Sequence, residues 1–195
     1  MLTADLSAAV ELRTPRLLLR PFTSQDTKAL FQLRSDERVM GMIGRPRTTS
    51  LDDAHALIER TWADQAASNG VSWAVQLAGA AEMCGTIGLY RPNWEHHRIE
   101  VGYLLLPELW GQGLMGEALH AVVDLAFARY GFHSVEAITD PLNTASRRLL
   151  EKNGFVLEGL FKENYHWNGM FLDSAVYSLL DPASRMEPAL NAPPP

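Results

Sequence analysis

The stretch from Trp110 to Leu119, "WGQGLMGEAL", carries Gly111, Gly113 and Gly116 in the spacing G-x-G-x-x-G. Glycines so spaced before a helix let several backbone N–H groups converge on one point, where the helix N-terminus adds roughly half a positive charge. The guest that suits such a cradle is a phosphate or pyrophosphate. The spacing alone is weak evidence, because glycine at ~7% of residues produces it by chance in about one chain in fifteen of this size. Its neighbours exclude two well-known versions. A Rossmann turn follows its strand directly and opens a series of βα units, but Pro107 to Trp110 intervene here and fewer than eighty residues follow Gly116. A P-loop requires Gly-Lys-Ser/Thr, which does not follow. A tight loop whose glycines only permit close packing remains the alternative.

The surrounding pattern supplies the elements that must hold this loop. "RLLLRPF" reads as a strand, and "TSQDTKALFQLRS" as a helix capped by Thr23 or Ser24, with Asp26 in its first turn. Leu51, Ala54, Leu57, Ile58, Thr61 and Trp62 recur at helical spacing. "VSWAVQL" and "CGTIGLY" read as a hairpin, and "IEVGYLLL" as a strand stopped by Pro107. After the glycines, Met115, Ala118, Leu119, Val122, Val123 and Ala126 form one helical stripe that Gly131 ends. "SVEAIT" and "FVLEG" are strands around the helix "NTASRRLLEKN", capped by Asn143. "FKENYHW" and "MFLDSAVYSLL" flank an Asn168-Gly169 turn. The order βααβββαβαββ predicts a mixed α/β fold with an antiparallel N-terminal part and a parallel pairing across the Gly116–Tyr130 helix.

Bulk properties narrow the function classes. The chain of 195 residues, 47% hydrophobic and 21% charged, fits one globular domain. The division expected is an N-terminal tail over 1–11, a domain over 12–181 and a proline-rich tail over 182–195. A net charge of -6 without a basic stripe argues against nucleic-acid binding. No apolar run approaches the ~20 residues that cross a bilayer, and the N-terminus lacks the pattern of a secretory signal. One cysteine, Cys84, allows no internal disulfide and suggests a cytoplasmic setting.

Two longer stretches, "IEVGYLLLPELWGQGLMGEAL" and "NTASRRLLEKNGFVLEG", resemble the GNAT superfamily of acetyl-CoA-dependent N-acetyltransferases. The family loop Q/R-x-x-G-x-G/A falls on Trp110 to Met115, with Trp110 for Gln/Arg and Met115 for Gly/Ala. Both departures are similar to the branch of ribosomal-protein alanine N-acetyltransferases (Rim-type). "LRTPRLLLRPF" and "NYHWNGMFLDSAVYSLL" resemble that branch too, so the likeness runs from about Leu12 to Leu180. The resemblance implies a centrally splayed sheet and acetyl-CoA as acyl donor. The coenzyme pyrophosphate would lie on Gly111, Gln112, Gly113, Leu114, Met115, Gly116 and Glu117. Its pantetheine arm would pair with the backbone of Tyr103, Leu104, Leu105 and Leu106 in the manner of an added strand, complete pairing inside the sheet being the alternative. Asn143 matches a family asparagine that contacts this arm, and it can cap its helix at the same time.

Acetyl transfer needs a neutral amine, yet an α-amino group (pKa ~8) or a lysine amine (~10.4) is mostly protonated at pH 7. A positioned carboxylate acting as base is worth ~10²–10⁴ in rate. Glu100, where several relatives carry an acid, is the first candidate, against a plain rim salt bridge; Glu82 in a hairpin turn is a lesser one. Many relatives protonate the leaving thiolate with a tyrosine, but Leu150 stands at that position. The Rim-type branch offers a serine three residues after the asparagine, here Ser146, against the bland role of bonding nearby backbone; Tyr165 or water would be the fallback. Arg147 and Arg148 read as a solvated helix face rather than phosphate ligands. Cys84 reads as a core residue. The adjacent His96 and His97 cannot share one face as metal ligands do, so no metal is expected, and with Trp94 they are candidates for the acceptor rim. The resulting expectation is direct transfer to a primary amine, a protein N-terminus or a small molecule, by a monomer or homodimer that needs no membrane. A non-catalytic acyl-CoA-binding or sensing module is the alternative.

Overall fold

Local sequence signals account for the ends of the elements. The computed structural model describes Leu2 and residues 4–185. Of the proline-rich segment 182–195, only the short 3-10 turn Pro182–Arg185 falls within the described residues, and the rest lies outside them. In chain order the elements are β1 (Leu12–Arg13), β2 (Leu17–Arg20), α1 (Thr27–Ser35), α2 (Glu37–Met40), α3 (Leu51–Ala66), β3 (Gly70–Leu77), β4 (Met83–Asn93), β5 (Arg98–Leu105), α4 (Leu114–Ala128), β6 (Ser134–Thr139), α5 (Thr144–Lys152), β7 (Val156–Trp167) and β8 (Met170–Leu180). Ser50 and Asp53 cap α3 reciprocally, each side chain accepting from the other's amide at 3.1 Å. Asn143 caps α5 by accepting from the Ser146 amide at 3.1 Å. Asn168 and Gly169 both take positive φ, 47° and 78°, as the tight β7–β8 turn demands.

The sheet has eight strands in the order β1-β2-β3-β4-β5-β6-β8-β7. It is antiparallel except for β5 and β6, whose parallel pairing across α4 is the expected one. Three details differ from the sequence reading. β1, with two residues, and the single turn α2 are too short to leave a periodic signal. "FVLEG" and "FKENYHW" belong to one strand, β7, because shifts in pairing between Leu157 and Gly159 and between Phe161 and Tyr165 absorb the irregularity without ending it.

Alternation along the strands feeds two cores. Ile99, Val101 and Leu105 of β5 join Trp73, Leu119, Val122, Leu150 and Tyr177 on the α4–α5 face. Leu104 joins Leu30, Leu33, Ala54 and Ile58 on the α1–α3 face. The segment before β1 is irregular in backbone, yet Leu6 is fully buried, and the Trp73 indole donates to the Val10 carbonyl at 2.7 Å.

One ion pair closes the corner between β2 and α1. Asp26, only 4% exposed, receives a fork from Arg20 at 2.7 and 2.8 Å and the Thr23 amide at 2.8 Å. Burial pushes its carboxyl up, but the Arg20 fork and the Thr23 bonds outweigh it and hold the group below the usual carboxylate range. A pKa lowered in the folded state gives stability that is fully present above the unfolded value of ~3.9 and is lost as pH falls from there through the lower folded value. Asp26→Asn is therefore expected to cost about 3 kcal/mol in urea unfolding at pH 7, since it strands a largely buried guanidinium. The gap from wild type should narrow below about pH 4; a gap independent of pH would contradict the assignment.

Candidate active site

The site begins where β5 and β6 part. Their pairing covers Arg98↔Ser134, Ile99↔Val135 and Glu100↔Glu136, and no further. From there β6 follows β8, pairing Ala137, Ile138 and Thr139 with Tyr177, Val176 and Ala175. β5 continues to Leu105 against β4 alone. A wedge-shaped gap opens after Glu100. The Leu106 amide donates to the Cys84 carbonyl of β4 at 2.9 Å. Peptide groups alternate in direction along an antiparallel strand, so those of Leu104 and Gly102 also face β4, while those of Tyr103 and Leu105 face the gap. The Val101 amide is committed to β6 by the parallel Glu100↔Glu136 pairing, which leaves only its carbonyl toward the gap. The run of four expected to hold the pantetheine arm therefore narrows to Tyr103 and Leu105. The Leu105 carbonyl is already used, accepting from the Trp110 indole at 2.8 Å.

At the wide end of the gap the chain turns through Pro107–Leu109 into the glycine loop. Gly111 and Gly113 take φ of 74° and 76°, and Gly113 is the N-cap of α4. The first intrahelical donor is the Glu117 amide, which reaches the Gly113 carbonyl at 3.1 Å. Among the described residues, no hydrogen bond uses the amides of Gly111, Gln112, Gly113, Leu114, Met115 or Gly116. They form the open cradle that suits a pyrophosphate, and the helix dipole points at it. A Cβ on Gly113 would meet only the Arg16 guanidinium, at 3.6 Å. The left-handed backbone, not crowding within the protein, demands glycine there. Gly116 differs: it is helical, and a Cβ would press on the Asn153 amide at 3.3 Å, so close packing explains it.

Two site residues take up work the sequence did not announce. Glu117 turns its carboxylate to the N-terminal strands, accepting from the Thr14 hydroxyl at 2.5 Å, the Arg16 amide at 2.9 Å and Arg16 Nε at 2.7 Å. Burial pushes that carboxyl up, but these bonds prevail and hold it below its usual range. Arg16 also donates to the Gln112 carbonyl at 2.9 Å. A lone arginine before a strand carries no signal in the sequence, yet Arg16 braces the loop and brings positive charge beside the cradle.

The two faces of β5 carry different chemistry. On the α4–α5 face, Tyr103 Oη and Ser146 Oγ are 2.8 Å apart, joining the two walls of the gap. Burial pushes the Tyr103 phenol up to about 12. Arg147 is turned inward, donating to the Tyr177 hydroxyl at 2.9 Å and the Pro141 carbonyl at 3.2 Å, whereas Arg148 is exposed. Leu150 is fully buried. On the α1–α3 face, Glu100 is 15% exposed and is gripped by both ends of the Arg91 guanidinium, with Nε at 2.9 Å. Gly88 and Gly102 pair directly across β4 and β5, and the Tyr90 ring lies over both; a Cβ on Gly102 would sit 3.3 Å from it. Tyr90 bonds Ser72 at 3.1 Å. Tyr165 reaches over from β7 and donates to the Gly44 carbonyl at 2.6 Å, far from Ser146 in role. Trp94 stacks on Phe132 at 5.4 Å, and the His97 carbonyl accepts from the His133 amide at 2.8 Å, so this loop secures the start of β6. Cys84 is buried in the core, where burial raises its thiol. Glu82 is exposed in the β3–β4 turn.

A splayed mixed sheet, free loop amides at the helix following the gap, and hydroxyl and carboxylate groups on either side make an arrangement that suits acyl transfer from a phosphate-bearing donor. Residues 16–156 match the acetyltransferase (GNAT) domain family. The chain is 34% identical over 171 residues to the uncharacterized N-acetyltransferase YoaA of Bacillus subtilis (strain 168), covering 88% of this chain and 97% of that one. The fold superposes on an acetyltransferase of the GNAT family from Bacillus anthracis with a TM-score of 0.78 at 26% identity, over 88% of this chain and 98% of that one. It also shares its fold with RimL, a ribosomal L7/L12 α-N-protein acetyltransferase solved with coenzyme A, at a TM-score of 0.76 and 21% identity, over 88% and 98% of the two chains. The chain belongs to the GNAT family and is an N-acetyltransferase. No helix among the described residues is long and apolar enough to cross a membrane.

The two kinds of glycine make a contrast that calorimetry can read. Gly113→Ala should cost about 1 kcal/mol of stability through its positive φ and weaken coenzyme A binding about tenfold or more as the cradle amides turn away. Gly116→Ala should leave binding within about twofold. Equal losses in both variants would return the loop to a purely packing role.

Proposed function

We propose that the protein acetylates a primary amine, a protein N-terminus or a small-molecule amine, by direct attack while donor and acceptor are bound together. The observation that carries this reading is the gap after Glu100. It joins a cradle suited to the donor's pyrophosphate on one side to a polar face holding Glu100, Tyr90 and Arg91 on the other. Acetyl-CoA brings a thioester whose carbonyl carbon the amine attacks. In that step the N–C bond forms, the C–S bond breaks, the electron pair leaves on sulfur and the amine gives up a proton.

Glu100 is the group proposed to take that proton, directly or through one water. Its carboxylate stands at the last paired residue before the gap, on the face away from Tyr103 and Ser146. To act, it must loosen one of its two bonds to Arg91. Ser146 is the group proposed to donate a hydrogen bond to the departing thiolate. Asn143 holds the Ser146 amide and so sets where that hydroxyl stands; its side-chain amide nitrogen remains available to a pantetheine arm. Tyr103 and Leu105 would meet the same arm through their backbone, and Gly111, Gln112, Gly113, Leu114, Met115 and Gly116 would meet the pyrophosphate. Glu117 enters this scheme as a brace rather than a ligand. A cytoplasmic setting, with the single thiol buried and reduced, belongs to the same reading.

Release of free thiol from acetyl-CoA, followed with panels of N-terminal peptides and small amines, should identify an acceptor. Initial rates with that acceptor should give intersecting double-reciprocal lines, the mark of a ternary complex; parallel lines would indicate an acetylated enzyme and overturn direct attack. Glu100→Gln should lower kcat about a hundredfold, with the coenzyme A Kd unchanged. Wild-type kcat would leave Glu100 as a rim salt bridge.

A further inference from the structure

We propose that Tyr103 is a positioning residue for Ser146: its phenol donates to Ser146 Oγ and so leaves the serine O–H free to point at the departing sulfur. The inference rests on the reading above that Ser146 donates to the thiolate, and adds the group that aims it.

Three observations on this pair lead there. First, the hydroxyls are 2.8 Å apart and belong to opposite walls of the gap, Tyr103 on the part of β5 without a β6 partner and Ser146 in the first turn of α5. A serine in a first turn ordinarily bonds its own backbone. Among the described residues, Ser146 Oγ has no partner other than Tyr103. Second, the direction of the bond follows from acid strength. Each hydroxyl has one proton to give and two lone pairs. A phenol ionises near ~10, far more readily than an aliphatic alcohol, so it is the better donor and the poorer acceptor. Tyr103 therefore gives and Ser146 receives. Third, the donor persists. The phenol is partly buried beside Ser146, its burial raises its pKa, and it stays protonated throughout the neutral range. Ser146 has its amide held by Asn143 Oδ1 and its oxygen held by Tyr103, and only its O–H vector remains to be used.

The balance of the step is simple. The pair of electrons from the broken C–S bond rests on sulfur, the amine proton leaves on the other face of β5, and the Ser146 O–H stabilises the sulfur charge without being transferred. Tyr103 neither gains nor loses a proton. Its own dipole, directed at Ser146 Oγ, strengthens the serine as a donor, as in any chain of hydrogen bonds. Leu150, on the same helix, has no proton to contribute.

The test reads the thiol of bound coenzyme A, which needs no acceptor. Thiolate absorbance of the coenzyme A complex, titrated against pH, should show a thiol pKa below the ~8.5 of an ordinary thiol. Ser146→Ala and Tyr103→Phe should each raise it by about one pH unit. Replacing Tyr103 with 3-fluorotyrosine, a stronger donor of nearly the same size, should lower it further and serves even if removal of the hydroxyl disturbs folding. With the acceptor found above, Tyr103→Phe should reduce kcat about tenfold with the acetyl-CoA KM within about twofold. The double variant should be no slower than Ser146→Ala alone. If Ser146→Ala raises the thiol pKa but neither Tyr103 variant moves it, Tyr103 is a structural tie and the proposal falls while the Ser146 reading stands. If no variant moves it, the Ser146 reading fails and takes the proposal with it.

Discussion

The divergence of β5 from β6 after Glu100 is the constraint on which the rest of the molecule depends. A sheet interior rarely leaves peptide groups unpaired, because each buried N–H or C=O without a partner is costly. Here β6 can afford to leave because β8 holds its other edge through Thr139. β5 can continue because β4 pairs it as far as Leu105. Each strand keeps one full ladder, and the missing bonds are confined to the wedge between them. Trp110 meets one orphan there by donating to the Leu105 carbonyl. The Val101 carbonyl, the peptide groups of Tyr103 and the Leu105 amide face the opening as an unfinished strand edge, which an extended ligand can complete.

The glycine loop sits at the mouth of this wedge, and distant parts of the chain hold it there. Glu117 in the first turn of α4 carries a negative charge at the positive end of a helix, itself a favourable arrangement. It spends that charge on Thr14 and Arg16, about a hundred residues earlier, rather than on the loop. Arg16 then clasps the Gln112 carbonyl. This arrangement leaves the loop amides free while the carboxylate that would repel a phosphate is neutralised by an arginine. In a chain of net charge -6, such local placement matters more than the overall sign, because Debye screening confines each charge to about 10 Å at ordinary salt.

The opposite face of β5 uses small residues to make room. Ser72, Gly88 and Gly102 lie in one row across β3, β4 and β5, and the Tyr90 ring covers the last two. A side chain on Gly88 would collide with both Tyr90 and Ser72. Beside this floor, Arg34 buries its Nε without a partner among the described residues, and burial pushes that guanidinium downward. The face therefore combines a flat aromatic surface, a carboxylate already paired with Arg91 and a guanidinium with donors to spare. Such a polar, under-satisfied lining suits a site that completes its hydrogen bonds with a ligand.

Periodicity and end signals in the sequence determined most of the elements: the stripe of α4, the cap at Asn143, the Asn168-Gly169 turn and the position of the glycine loop all follow from residues close together in the chain. The resemblance of the loop and of the α5 segment to one acetyltransferase superfamily pointed to the splay, and the register of β5 and β6 bears that architecture out. Tertiary structure alone decided what the side chains do. The sequence presents Glu117 as a loop residue, Tyr103 as backbone and Arg16 not at all; the structure makes the first a brace, the second a partner of Ser146 and the third the clasp of the loop. It also separates Leu104 and Leu106, whose peptide groups face β4, from Tyr103 and Leu105, whose groups face the gap. The reason is physical. An element's type depends on contacts a few residues apart, whereas the direction of a peptide group or the partner of a hydroxyl depends on strand register and on chains that meet from forty to a hundred residues away, and no local pattern records those meetings.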